Sequence, residues 1–291
     1  MALTEVPEFK HVVDVLTKSF TINGKAKSTL TNYLRCLAHL TIHTKVSPEK
    51  LDKETVDDYL FHCRNLHKTP SESFFKHTIF GLRALYKVLG MSAQKVYLPE
   101  IKRDLKMPVV LSKSEVKTLL KTPKYLKHRL MLGMLYGCGL RSYELCDLRL
   151  EDVDFERQTV FIRKKKGKVD RYVPLSNFLI RGLKNYISSE QPQVYLFNSQ
   201  VTDNGAFRPI TTRAVNWVIK ECKGKMHMRK KLTAHVLRHT YATHLLEEGL
   251  NIMSLKELLG HAHIETTLIY LHVANTGTSK KFSPLDTLYQ P

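Results

Sequence analysis

Acidic residues are scarce in this sequence, with 27 Asp and Glu against 46 Lys and Arg over 291 residues and a formal net charge of +19. Long apolar runs are missing as well: none approaches the roughly 18 to 20 residues that a helix needs to cross a bilayer. The opening stretch MALTEVPEFKHVVDV lacks the basic region, apolar core and small-residue cleavage site of a secretory signal, so the expectation is a cytoplasmic protein. Cysteine is sparse and irregular. Cys36, Cys63, Cys138, Cys146 and Cys222 form an odd set with no C-x-x-C spacing, which excludes a disulfide framework and a zinc knuckle and leaves reduced thiols packed in the interior. No internal repeat or low-complexity tract is found.

What is present points to a folded chain. At 43% hydrophobic residues the sequence can bury a core, and its length fits two domains rather than one. A large positive charge on a foldable chain favours a polyanionic partner: nucleic acid first, an anionic membrane surface second. With no spanning segment, the membrane reading loses its support.

The first hundred residues read as helices near 7–20, 28–43, 53–66 and 71–89. Ser28 is the expected N-cap for a face of Leu30, Tyr33, Leu34, Leu37, Ala38 and Thr41. Pro70 and Ser71 precede the apolar face of the fourth helix, and Gly90 ends it. From 97 to 112 the periodicity breaks, and YLPEIKRDLKMPVVLS, with two prolines among basic residues, reads as an extended linker. Ser112 and Glu115 then form an S-x-x-E capping box ahead of Val116, Leu119 and Leu120. Within 153–175 the period changes to alternation around a turn at Lys166, Gly167 and Lys168, the pattern of a β-hairpin. Helices recur near 177–188, 211–222, 234–248, 252–260 and 264–270. The fold class is mainly α: a four-helix N-terminal domain over 1–97, a linker over 98–111, a mostly helical domain with a small sheet over 112–275, and a tail over 276–291.

Four clusters carry candidate chemistry. In YGCGLRSYELCDLRLEDVD, Arg141 follows a glycine-rich bend and Glu144 lies three positions on, where a carboxylate can fix the direction of a guanidinium fork. A surface ion pair is the plainer reading of the same pair. At the hairpin tip, Arg163, Lys164, Lys165, Lys166, Lys168 and Arg171 face only Asp170, which suits phosphate tracking, and a lysine beside the glycine turn could also donate a proton. In LTAHVLRHTYATHLLEEG, His235 and Arg238 stand at i and i+3 at a helix start and can converge on one anion. His235, His239 and His244 raise a metal reading, but the zincin pattern needs a Glu where this sequence has Val236, so no metal is expected. The fourth cluster, LLGHAHIETTLIYLHV, places His261 after Gly260 and Tyr270 nine residues later. Its pattern leaves open which side Tyr270 faces.

Taken together, G-L-R-x-x-E-L with Arg141, a basic hairpin before V-P-L, H-x-L-R-H-T-x-A-T-H-L, L-G-H and T-T-x-x-Y-x-H-V resemble the tyrosine recombinase (phage integrase) family in order and spacing. The likeness is to the short chromosome-dimer resolvases and integron-type integrases. It covers 112–275 well, and the N-terminal module only in size and helical content.

That resemblance implies an enzyme whose two domains clamp DNA, the first as a core-binding domain, and which cuts and rejoins strands through a 3′-phosphotyrosyl intermediate and a Holliday junction, with no cofactor, metal or ATP. It implies Tyr270 as nucleophile, with Arg141 and Arg238 clamping the nonbridging oxygens. His235 would assist proton removal from Tyr270, His261 would bond the phosphate, Lys166 would be the acid on the leaving 5′ oxygen, and Glu144 would orient the arginines. The choice of Lys166 rests on its place before Gly167 and its distance from Val173 and Pro174. Expected DNA contacts are Lys164, Lys165, Lys168, Arg171, Lys225, Arg229, Lys230 and Lys231. The implied partner is double-stranded DNA with paired inverted half-sites, bound by a homotetramer through Phe282, Leu285, Leu288 and Tyr289 of the tail, in a nucleoid-associated setting. A DNA-binding regulator without catalysis and a type IB topoisomerase are the rivals. The complete set of six catalytic-type residues argues against the first, and the motif spelling and the tail against the second.

Overall fold

The computed structural model describes residues 1–65, 72–91, 94, 98–100, 107–163, 170–199 and 207–274. The chain divides into two compact units, Met1–Asp104 and Leu105–Pro291.

The first unit is helical: α1 (Ala2–Glu5), α2 (Phe9–Ile22), α3 (Lys27–Thr44), α4 (Lys53–Asn65) and α5 (Glu72–Val88). Apolar residues three and four apart give each long helix one inward stripe. In α2 the stripe is Phe9, Val12, Leu16 and Phe20; in α4 it is Val56, Tyr59, Leu60 and Cys63. These meet Leu37 and Leu40 of α3 and Ile79, Leu82 and Leu85 of α5 in one core. The expected Ser28 cap is corrected: Ala26 is the extended residue before α3, and Ser28 lies inside the first turn. Gly90 does close α5, at φ 72°, the left-handed region that glycine enters without a Cβ penalty. The expected linker is anchored where it leaves this unit, since Leu98 is buried in the core and Arg83 donates to the Pro99 carbonyl at 2.8 Å.

In the second unit α6 (Lys113–Lys121) begins on a reciprocal capping box: the Glu115 N–H donates to Ser112 Oγ at 3.2 Å and the Ser112 N–H to Glu115 Oε2 at 2.7 Å. α7 (Leu126–Gly137) and α8 (Ser142–Asp147) follow, the first without a counterpart among the helices expected from sequence. Three antiparallel strands come next, β1 (Val153–Asp154), β2 (Thr159–Ile162) and β3 (Arg171–Pro174), in the order β1-β2-β3. Val160 pairs with Val173 and Ile162 with Arg171, all four on the buried face, while Phe161 and Tyr172 stack on the other at 5.0 Å. The chain continues through α9 (Asn177–Glu190), α10 (Thr212–Lys225), α11 (Ala234–Glu247), α12 (Ile252–Leu259) and α13 (Glu265–Leu268).

α11 is buried nearly all round, as a central helix must be: Val236, Leu237, Arg238, Thr240, Tyr241, Ala242, Thr243 and His244 are all interior. Thr233 caps it, accepting the Val236 N–H at 3.1 Å. The five cysteines are free and buried. No described helix is long and apolar enough to cross a membrane.

Candidate active site

The site is built around the end of α12. Its last turn closes in Schellman fashion: the Gly260 N–H bonds to the Glu257 carbonyl at 2.9 Å and the His261 N–H to that of Lys256 at 3.1 Å, with Gly260 at φ 61°. Two carbonyls of that turn remain to be satisfied, and arginines take both. Arg171 Nε donates to the Leu258 carbonyl at 2.7 Å, and Arg238 Nη2 donates to that of Leu259, with Arg141 Nη1 at 3.5 Å from the same oxygen. Guanidinium charge therefore gathers at the negative end of the helix dipole.

One carboxylate holds the three cations in place. Glu144 sits at the third position of α8 and accepts the Arg141 backbone N–H at 2.9 Å, Arg141 Nη1 at 2.9 Å, and both Nη1 and Nη2 of Arg171 at 3.1 and 2.8 Å. Arg238 Nη1 lies 3.8 Å from the same carboxylate. Burial pushes the Glu144 carboxyl up, but the Arg171 and Arg141 bonds and charges win and hold it down at about 2. Three cations around one anion leave a local excess of two positive charges. Arg238 is fully buried, and its loss of hydration, then the Arg141 charge, lower it to about 10. Its Nη1 reaches the Gly139 carbonyl at 2.6 Å, while its Nε has no hydrogen-bond partner among the described residues. Such a cluster can accept an anion.

His261 joins this cluster. Arg238 Nη2 lies 3.2 Å from its Nε2, and because an arginine only donates, Nδ1 carries the proton toward Thr267 Oγ1 at 2.9 Å. Tyr270, just past α13, is 2% exposed and packs with Tyr241, Leu255 and Leu259. Its hydroxyl is 3.0 Å from His239 Nδ1. Burial raises the Tyr270 phenol, and the charges of Arg238 and Arg141 pull it back down.

The imidazole beside that hydroxyl is thus His239, whereas the sequence pointed to His235. His235 is exposed and meets His239 edge to face at 4.4 Å; among the described residues it makes no hydrogen bond to Tyr270. Desolvation, then Arg238 and Arg141, lower the His235 imidazole. His239 is pushed further, to about 4, by burial first and then by His235 and Arg238, and is neutral at neutral pH. Sequence reading had weighed His239 only as a metal ligand. The usable signal was its position in the chain directly after Arg238.

Arg171 is the second correction. It was expected to contact DNA, yet it is interior with its fork spent on Glu144 and Leu258. Strand parity held the clue: Arg171 lies two residues before Val173 and shares its inward face. Of the other expected DNA contacts, Lys225 is exposed and pairs with Glu221 at 2.7 Å, Lys230 reaches Glu115 at 2.7 Å, and Arg229 and Lys231 are exposed. Lys164, Lys165, Lys166 and Lys168, and the tail over 276–291, lie outside the described residues. No group of three side chains able to hold a metal occurs among the described residues.

Comparison with known proteins matches this unit, over residues 109–276, to the phage integrase family. Across 259 residues, 86% of either chain, the protein is 33% identical to a tyrosine recombinase of Pseudothermotoga lettingae. It is 33% identical over 260 residues to the tyrosine recombinase XerA of Pyrococcus horikoshii, 87% of this chain and 85% of that one. Among solved structures, a XerA recombinase aligns over 97% of this chain and 99% of its own at 25% identity and a TM-score of 0.52. The Tn1549 transposon integrase in complex with a circular intermediate DNA shares the fold, with a TM-score of 0.71 over 89% of this chain and 94% of its own at 19% identity. The chain belongs to the phage integrase family, the tyrosine site-specific recombinases.

Proposed function

We propose that the protein cuts and rejoins double-stranded DNA with Tyr270 as nucleophile, through a 3′-phosphotyrosyl link and a Holliday junction. The observation that carries this is a buried tyrosine hydroxyl in the electrostatic field of Arg238 and Arg141, which themselves surround one carboxylate with an unbalanced excess of positive charge. A phosphodiester at that point supplies the missing anion. Attack by Tyr270 adds charge to the nonbridging oxygens, and arginines already fixed by Glu144, Gly139 and the α12 carbonyls stabilise it without reorganising, the electrostatic term that is often the largest in catalysis. His261, oriented by Thr267, bonds the same phosphate. Lys166 protonates the departing 5′ oxygen. The covalent link conserves the energy of the phosphodiester, so rejoining needs neither ATP nor a metal. Arg229, Lys231 and the hairpin lysines follow the flanking backbone. Paired inverted half-sites are occupied by a homotetramer, with the apolar residues of the tail seated on a neighbouring subunit.

The test is Tyr270→Phe on a nicked duplex built from the sequence that the protein enriches from a random pool. The variant is expected to bind within about twofold of wild type and to form no covalent adduct, because it loses one hydroxyl and no charge. An adduct formed by the Phe variant would remove Tyr270 from the reaction.

A further inference from the structure

We infer that His239 is the base that takes the phenolic proton of Tyr270 when the phosphotyrosyl bond forms. The inference rests on the reading of Tyr270 as nucleophile and adds a residue to it. The Tyr270 hydroxyl is 3.0 Å from His239 Nδ1, inside the range for direct proton transfer. Tyr270 is otherwise enclosed by apolar neighbours and 2% exposed, so bulk water is not at hand to accept the proton. The partner is held firmly, because α11 fixes the His239 backbone one residue beyond buried Arg238 and its ring lies against both His235, at 4.4 Å, and the Tyr270 ring, at 5.5 Å. His235, the other imidazole of that helix turn, is exposed and makes no hydrogen bond to the hydroxyl among the described residues.

Burial and the neighbouring cations keep His239 neutral before DNA arrives, which leaves Nδ1 free to accept. In the forward step the Tyr270 Oη–phosphorus bond forms and the phosphorus–O5′ bond breaks. The phenolic proton passes to His239 Nδ1, and the leaving O5′ takes one from Lys166. The imidazolium so formed stands beside His235 and Arg238 only while the phosphate carries added negative charge, which offsets it. In rejoining, the incoming 5′ hydroxyl returns its proton to Lys166 as it attacks phosphorus, and the proton on His239 passes back to the departing Tyr270 oxygen.

The experiment compares wild type and His239→Ala on the nicked duplex described above, each with natural tyrosine or with 3,5-difluorotyrosine at position 270, reading the first-order rate of adduct formation at saturating protein. His239→Ala is expected to slow the natural-tyrosine reaction about 100-fold, in line with general-base contributions, with half-saturation changed less than twofold. The more acidic fluorinated phenol needs less help, so the defect should shrink at least about tenfold. A ring merely displaced would give the same defect with both phenols, and that result overturns the proposal. So does a His239→Ala rate within about threefold of wild type, or a faster one, which would make the contact a resting latch. Mapping the wild-type adduct to a residue other than Tyr270 would instead overturn the nucleophile assignment, and His239 with it.

Discussion

Glu144 carries more of this site than its single charge indicates. It is the one anion among three buried or half-buried guanidiniums, and its carboxyl stands at about 2 against an ordinary 4.5. A carboxyl depressed on folding adds stability that is present above the unfolded value, near pH 4.5, and is lost as pH falls through about 2. The shift corresponds to about 3 kcal/mol at roughly 1.4 kcal/mol per unit. Urea unfolding of the full chain, followed through Trp217, the only tryptophan and a residue of this unit, should show wild type weakening between pH 5 and 2. Glu144→Gln should start lower at pH 7 and run nearly flat across the same window. Parallel curves for the two would assign the acid sensitivity elsewhere. Arg171→Ala breaks the same network from the other side and should cost about 3 to 5 kcal/mol at pH 7, because a buried carboxylate loses its bidentate partner. A variant that loses DNA affinity and keeps its stability would instead make Arg171 a surface phosphate contact.

At the scale of elements, the site depends on where helices stop. Gly139, in the bend between α7 and α8, sits at φ 58°, and its carbonyl receives Arg238 Nη1. A Cβ there would stand 2.4 Å from Cδ1 of the buried Tyr241 ring, so the ring or the backbone would have to shift. Gly249, just after α11, has φ 90° but open space around it. Gly139→Ala should therefore cost about 2 to 5 kcal/mol, left-handed strain plus overpacking, and slow cleavage by loosening Arg238. Gly249→Ala should cost about 1 to 2 kcal/mol and leave cleavage unchanged. Thermal unfolding and the adduct assay on the two variants check both statements; equal losses of stability would mean that the Tyr241 contact relaxes. The end of α12 makes the same point, since Gly260 turns the chain toward His261 while the two carbonyls before it anchor arginines from three other parts of the unit.

At the scale of the molecule the net charge of +19 governs how the protein meets its partner. Binding that neutralises several phosphates releases counterions, so affinity for the enriched duplex should fall about a thousandfold or more between 50 and 200 mM salt. A loss below about tenfold, read by fluorescence anisotropy, would mean that few cations reach the backbone. Lys225 and Lys230 already hold carboxylates on the surface, which lowers their share of that slope relative to Arg229 and Lys231.

Composition, periodicity and spacing were enough for the helical class, the hairpin and the Ser112 box, because each is local: an apolar stripe, a cap or a turn is written within about twenty residues of itself. The family came from the resemblance of several motifs spread between Arg141 and Tyr270. Ser28 failed as a cap although Ser far outranks Ala in that role: α3 starts at Lys27 after the extended Ala26, with no side-chain cap, so capping preference did not set where this helix begins. Arg141, Arg238, His261 and Tyr270 were legible as residues, and the resemblance implied that they act on one phosphate, but the contacts that hold them together were not legible. Only the tertiary structure brings α8, β3 and α11 to the closing turn of α12, where unsatisfied carbonyls and one carboxylate set the direction of every guanidinium. It also set the ring of His239, not that of His235, against the Tyr270 hydroxyl and turned Arg171 inward, since the side of a helix or strand that faces a partner is fixed by what packs there, and that partner lies dozens of residues away along the chain.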